Sequence, residues 1–255
     1  MIELQRPGAC KLSPAASCDE QLLVLILKKS IDPIQRRRGR PPAAQAHDLE
    51  ERVLAAATTL FLERGFGRTT LDLVAQKAEV GKSGLYARYP DKAALFAAVV
   101  GRSIQTMFGE IKPAPAGLGR PQRLQWVGDG LIAGLLNPRC VALMRITAAE
   151  AQSFPDLARA AYEASFEGSL REVLAALCGQ GPETFSDLTG VEPDQLALAQ
   201  RFVELAIQPL SFQAAFAIDP QGLRERASEA VRDVIALLEA GGRLGSLTTR
   251  TSHLG

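Results

Sequence analysis

Cysteine, histidine, aromatic residues and long apolar runs are all scarce in this chain, and each shortage removes a class of function. The four cysteines, Cys10, Cys18, Cys140 and Cys178, are scattered, with no C-x-x-C pair and no neighbouring histidine, so neither a zinc site nor a disulfide framework is indicated. Reduced thiols are expected, with a redox sensor built on Cys140 or Cys178 as the alternative; no metal and no cofactor is expected. The two histidines, His47 and His253, stand in the approach to the first long helix and in the tail. With no glycine-rich nucleotide loop after a strand and no paired carboxylates in a plausible cleft, catalysis is not expected. No apolar run approaches the roughly 18 residues of a membrane span, the longest being Leu22 to Leu27. Glu3, Asp19 and Glu20 precede that run where a secretory leader has a basic start, so a cytoplasmic protein with no membrane partner is expected.

What is present is enough for a folded body. The chain has 255 residues, 47% of them hydrophobic and 22% charged, which provides for one or two cores and a charged surface. A net charge of +1 alone argues against nucleic acid, but the distribution of charge points the other way. Residues 1–108 hold 16 Lys and Arg against 11 Asp and Glu, a net of +5, whereas residues 109–255 hold 13 against 17, a net of −4. The front half is the half suited to phosphate.

The most informative stretch is TTLDLVAQKAEVGKSGLYARYPDK, Thr69 to Lys92. Thr69 and Thr70 are good caps, and Leu71, Val74, Ala75 and Ala78 recur at three- to four-residue steps, which predicts a short helix with one buried face. Glu79, Val80 and Gly81 break the pattern. Lys82 begins a second short helix in which Leu85 and Tyr89 face inward, four residues apart, while Lys82, Ser83, Tyr86 and Arg88 point outward. All four are hydrogen-bond donors, as a helix lying in the major groove requires. Thr69, Thr70, Lys82, Ser83, Tyr86, Arg88 and Lys92 are therefore the candidate DNA contacts. Pro90 and Asp91 open the next helix, which is expected to run to about Met107.

Leu60-Phe61, Gly65-Phe66, Thr69-Thr70, Val74-Ala75, Val80-Gly81-Lys82, Leu85-Tyr86 and Tyr89-Pro90-Asp91-Lys92 together resemble the tetracycline-repressor (TetR/AcrR) family over about Glu50 to Val100. The resemblance implies an all-α fold: an N-terminal three-helix helix-turn-helix head and a C-terminal helical domain for ligand binding and dimerisation. Two positions depart from the family pattern. Glu79 stands where glycine is common in the turn, and Gly84 where Thr, Ser or Ala is usual. A non-glycine residue at positive φ costs about 1 to 2 kcal/mol, and glycine within a helix about 1 kcal/mol.

Along the chain, residues 1–45 are expected to be a largely disordered leader ending in the basic arm QRRRGRPP. The apolar patch QLLVLILKK has a short docked helix as its alternative. Arg38 and Arg40 of that arm resemble a minor-groove hook, as many family members carry before the first helix; narrow A·T-rich grooves attract such arginines. Residues 46–108 form the head with its linking helix, the first helix running from about Ala46 to Arg64 with Gly65 as its stop. Residues 109–240 read as a helical body after a Pro- and Gly-rich connector, and residues 241–255 as a frayed tail. Pro193 to about Ile218 is apolar nearly all round and is expected as one helix bent at Pro209. It and the helix from Pro220 to about Leu238 are expected to close a four-helix dimer interface through Phe202, Leu205, Phe212, Leu223, Val231, Val234 and Leu238, an arrangement the resemblance also implies. A two-fold dimer presents two reading helices to a near-palindromic operator.

The resemblance further implies a small-molecule effector within residues 120–218, whose candidate contacts are Trp126, Leu136, Met144, Arg145, Glu150, Tyr162, Phe166, Gln208 and Phe212. Such a ligand releases DNA only through unequal affinity for two conformations. Aromatic content of 5% suggests an aliphatic pocket. The reading is a homodimeric transcriptional repressor bound to double-stranded DNA, since a dimer seated on a promoter obstructs polymerase. The alternative is a helical interaction protein in which the Glu79 and Gly84 departures have cost DNA reading and a protein partner has replaced DNA.

Overall fold

A computed structural model describes residues 18–31 and 41–244, and every regular element among them is helical. None of these helices is by itself long and apolar enough to cross a membrane. The arginines Arg38 and Arg40, and the chain beyond Leu244, lie outside the described residues.

Two expectations for the N-terminal region change. The leader contains a helix, α1 (Cys18–Ile31), rather than only unstructured chain. Val24 and Leu27, three residues apart on one face, are buried, so the apolar patch forms the docked helix that was the alternative. Next, α2 (Pro41–Arg68) begins five residues earlier than expected, with Pro41 and Pro42 in its first turn. Proline is tolerated there because first-turn N–H groups have no acceptor within the helix. Gly65, at φ 74° and ψ 174°, interrupts α2 where the sequence placed its stop.

The chain packs as two units, Met1–Arg102 with Ile146–Tyr162, and Ser103–Arg145 with Glu163–Gly255. The expected boundary after residue 108 misses the segment Ile146–Tyr162. The aromatic packing gives the reason. Phe66 meets Phe96 edge-on at 5.4 Å and Phe154 at 5.7 Å, and Phe61 meets Phe96 at 5.0 Å, so Phe154 joins the core of the first unit.

In that unit α2 packs against α3 (Leu71–Ala78) and α3 against α4 (Lys82–Arg88), followed by α5 (Lys92–Gly109). Thr70 caps α3, its hydroxyl accepting from the Leu73 N–H at 3.3 Å. Asp91 does the same for α5, accepting from the Ala94 N–H at 2.7 Å. Glu79 closes α3 in the left-handed region at φ 55° and ψ 47°, and Val80 N–H returns to the Ala75 carbonyl. The Arg52 guanidinium donates to the Ala78 and Glu79 carbonyls at 2.5 and 2.9 Å, which pins the turn to α2. The departure at Glu79 therefore keeps the turn geometry at a backbone cost.

The second unit is built from α6 (Arg120–Leu135), α7 (Pro138–Ala149), α8 (Pro155–Cys178), α9 (Pro193–Phe202), α10 (Gln208–Ala215) and α11 (Pro220–Ala240), with α5, α7 and α8 each contributing their part on this side of the division. Gly128 lets α6 approach α11, because a Cβ there would meet Val231 Cγ1 at 2.7 Å. The helix expected over Pro193 to Ile218 is not continuous. Pro209 has no N–H for the Leu205 carbonyl, and a π turn at Val203–Ile207 takes its place, in which the Gln208 N–H reaches the Val203 carbonyl.

This packing corrects the expected dimer residues. Phe202, Leu223, Val231 and Leu238 are buried within the unit's own core, and Val234 is half-buried against it. A helix that is apolar all round does not reveal which stripe its own subunit covers. Leu205 and Phe212 do face outward, 42% and 66% exposed, together with Phe216, Ile218 and Leu237.

Replacing Glu79 by glycine relieves the left-handed strain, offset in part by the greater freedom of glycine in the unfolded chain. Glu79→Gly is expected to stabilise the protein by about 0.5 to 1 kcal/mol, read from the midpoint of denaturant unfolding.

Candidate nucleic-acid interface

Leu85 anchors α4, buried against the head, and Tyr89 closes its C-terminal end, with the Tyr89 N–H on the Leu85 carbonyl at 2.8 Å. Lys82, Ser83, Gly84, Tyr86, Ala87 and Arg88 are left exposed. A Cβ at Gly84 would have nothing within 4 Å, so the missing side chain leaves open space. Of the sequence-predicted contacts, Lys82, Ser83 and Tyr86 therefore share one outward face, and Thr70 lies exposed at the start of α3 while serving as its cap.

The other candidates have work inside the head. Thr69 is fully buried, and its hydroxyl donates toward the Gly65 carbonyl at 2.9 Å and the Leu60 carbonyl at 3.2 Å. It secures the interrupted end of α2 and has no surface to offer DNA. The Lys92 ammonium donates to the Phe66 and Gly67 carbonyls at 2.9 and 3.2 Å and lies 4.4 Å from the Phe66 ring centroid. Arg88, still exposed, forms an ion pair with Glu50 of α2, as Lys82 does with Asp72. Burial corrects Thr69, and Lys92 and Arg88 each have a partner in the head that the sequence did not show. Composition identifies donors, but not the carbonyls and carboxylates that folding brings to them.

Sequence reasoning missed Asp72. Its carboxylate sits on the first turn of α3, with the Lys82 ammonium at 2.8 Å and the Tyr86 hydroxyl donating at 3.4 Å. The hydrogen bond from Lys82 holds the Asp72 carboxyl below its usual range, and Asp72 in turn raises the Lys82 ammonium. The available signal was position: Asp72 lies between the inward residues Leu71 and Val74, on the exposed side of α3, which a three-residue turn brings back beside α4.

The comparisons with known proteins agree with this geometry. Residues 53–99 match the profile of bacterial regulatory proteins of the tetR family, and residues 122–241 match the C-terminal domain of AefR-like transcriptional repressors. Together they span more than half of the chain. The chain belongs to the tetR family of bacterial regulatory proteins.

Among curated tetR-family relatives, the HTH-type transcriptional repressor BepR of Brucella suis is 31% identical over 96 residues, 38% of this chain and 46% of that protein. The HTH-type regulator YdeS of Bacillus subtilis is 39% identical over 62 residues, 24% of this chain and 30% of that protein. The matched stretches thus span less than half the length of these relatives. The solved flavonoid-responsive regulator FrrA is 28% identical with a TM-score of 0.55, covering 75% of this chain and 96% of that one. A TetR-family regulator from Mesorhizobium loti, at 23% identity and a TM-score of 0.56, covers 74% and 96% and shows the shared fold.

One groove of the second unit takes in a single candidate effector residue of this tetR-family chain. In the second unit an open groove of about 430 Å³ is lined by Met107, Ile111, Trp126, Asp129, Ala133 and Gly134 among others. Trp126 is the one candidate on its wall, held by its indole N–H on the Lys112 carbonyl at 2.9 Å. Arg145 instead closes the end of α10, donating to the Ala215 and Ala214 carbonyls at 2.6 and 2.8 Å. Phe212 stands outside against Phe216, Tyr162 is exposed, and Leu136, Met144, Glu150, Phe166 and Gln208 line no part of the groove.

Removing the Thr69 hydroxyl tests its reassignment. Thr69→Val is expected to lower stability by about 1 to 2 kcal/mol, because the buried Leu60 carbonyl and the half-buried Gly65 carbonyl lose this donor, with the folded variant's DNA affinity unchanged. Lower affinity at unchanged stability would return Thr69 to the contact surface.

Proposed function

We propose that this chain is a DNA-binding transcriptional regulator, acting as a homodimeric repressor that a small-molecule effector releases from its operator. The observation that carries the reading is α4: a short helix anchored by Leu85, presenting Lys82, Ser83 and Tyr86 together on an exposed face at the second position of a helix-turn-helix. The repressor named among its relatives supports the direction of regulation. The arginines of the arm, Arg38 and Arg40, belong to this proposal through their sequence alone.

The homodimer draws its support from the exposed apolar residues of the second unit. Leu205, Phe212, Phe216, Ile218 and Leu237 are each at least 42% exposed, and the Phe212 and Phe216 rings lie 4.9 Å apart. An apolar surface of this kind is ordinarily covered by a partner. The groove beside Trp126 supports an effector site with an aromatic wall and polar ends at Glu110 and Asp129. The name of FrrA makes flavonoids the first class of effector to screen.

Selection of random duplexes by the purified protein is expected to enrich an inverted repeat. On that repeat Lys82→Ala is expected to weaken binding about tenfold or more, and equal binding by variant and wild type would remove Lys82 from the site. A Phe212→Asp, Phe216→Asp double variant is expected to sediment as a monomer while keeping its helical circular dichroism. A dimer that survives both changes would place the interface elsewhere.

A further inference from the structure

The Asp72 carboxylate faces the surface on which α4 would meet DNA, not the core. Asp72 and Lys82 are about half or more exposed, and the pair spans the first turns of α3 and α4. An exposed ion pair of this kind contributes little to stability, so the fold alone does not account for it. The other cations around α4 are occupied in ways that pin helices: Arg88 on Glu50, Lys92 on the Phe66 and Gly67 carbonyls, and Arg52 on the Ala78 and Glu79 carbonyls. Lys82 differs in that its counter-charge, Asp72, also takes the Tyr86 hydroxyl, so one carboxylate holds two of the outward donors of α4.

We propose that Asp72 is a discrimination residue, which holds Lys82 and Tyr86 so that a phosphate must approach them against the repulsion of an internal carboxylate, whereas a neutral base edge need not. The inference rests on the DNA-reading function proposed above. An ammonium has three N–H groups, and one can stay on Asp72 while others reach the neutral acceptors O6 and N7 of a guanine. A phosphate is an anion, and drawing it to Lys82 brings two negative charges together beside one positive charge. Sequence-blind binding depends on phosphate contacts and the counterions they release, so it carries the whole penalty. Binding through base edges escapes most of it. Asp72 thereby lowers affinity for random DNA more than affinity for the operator, and acts through Lys82 and Tyr86 without touching a base itself.

The test compares wild type, Asp72→Asn, Lys82→Ala and the double variant on the selected operator and on a random duplex, across a series of salt concentrations. Asp72→Asn is expected to tighten random-duplex binding about three- to tenfold at low salt and to steepen its salt dependence by about one phosphate contact. Operator affinity is expected to stay within about twofold, so the ratio of operator to random binding falls, and the change is expected to vanish in the Lys82→Ala background. Asp72→Ser serves as a second variant, and thermal melts confirm that each protein is folded. Random-duplex binding left unchanged by Asp72→Asn, or both duplexes weakened alike, would overturn the proposal while leaving the DNA-reading function standing. A wild type that shows no salt-dependent binding to any duplex would overturn that function and this proposal with it.

Discussion

The carbonyls on either side of the break in α2 at Gly65 are the constraint on which the head depends. A helix that ends leaves its last carbonyls without intrahelical donors, and burying them unpaired would cost about 1 to 3 kcal/mol each. Around this break two later elements donate to carbonyls on either side: Thr69, just ahead of α3, to those of Leu60 and Gly65, and Lys92, opening α5, to those of Phe66 and Gly67, with the Phe66 carbonyl also accepting from the Thr69 N–H. One corner thus fixes where α3 starts and where α5 starts. The segment between them, α4 and its turn, is positioned from both ends.

The same corner explains why the contact surface is smaller than the count of donors suggests. A small three-helix head has few residues, and its polar side chains must both seal helix ends and serve the surface. Arg52 seals the turn after α3, Arg88 ties α4 back to Glu50, and Thr70 spends its hydroxyl on a cap. What is left outward on α4 is Lys82, Ser83 and Tyr86, with Asp72 governing two of them, and Arg88 with its charge shared with Glu50. Affinity on such a surface is modest for one head, which is why dimerisation matters to the proposed function.

The helices of the head were legible from residue spacing, because Leu71, Val74, Ala75, Ala78 and Leu85 each do one thing, which is to be buried. Gly65 as the stop of the first helix was legible for a similar reason, since positive φ has few alternatives. The fates of Arg88 and Lys92 were not, because each donor found an acceptor far along the chain, 26 residues away for Lys92 and 38 for Arg88, and that of Thr69 was not, because its acceptors depend on how α2 breaks at Gly65. The sequence showed α1 only as an apolar patch, without the surface it docks on.

The body was legible in outline and misassigned in face. Phe202, Leu223, Val231 and Leu238 have the period of an interface stripe, yet Gly128 brings α6 close enough to bury Val231 and Phe202 within the unit. That small residue lies on a different helix, over seventy positions before Phe202, and nothing in the pattern of α9 or α11 points to it. Pro209 works in the opposite sense. By removing one N–H it inserts a π turn, and the extra residue shifts every later side chain by roughly 100° around the axis relative to an unbroken helix. Leu205, within that turn, and Phe212, beyond it, are left outside a core that takes Val203, Ala206, Ile207 and Leu210. The outward placing of Phe212 on the proposed dimer face thus follows from a single missing hydrogen-bond donor, and the run of apolar residues around it hides this from any reading based on hydrophobic period alone.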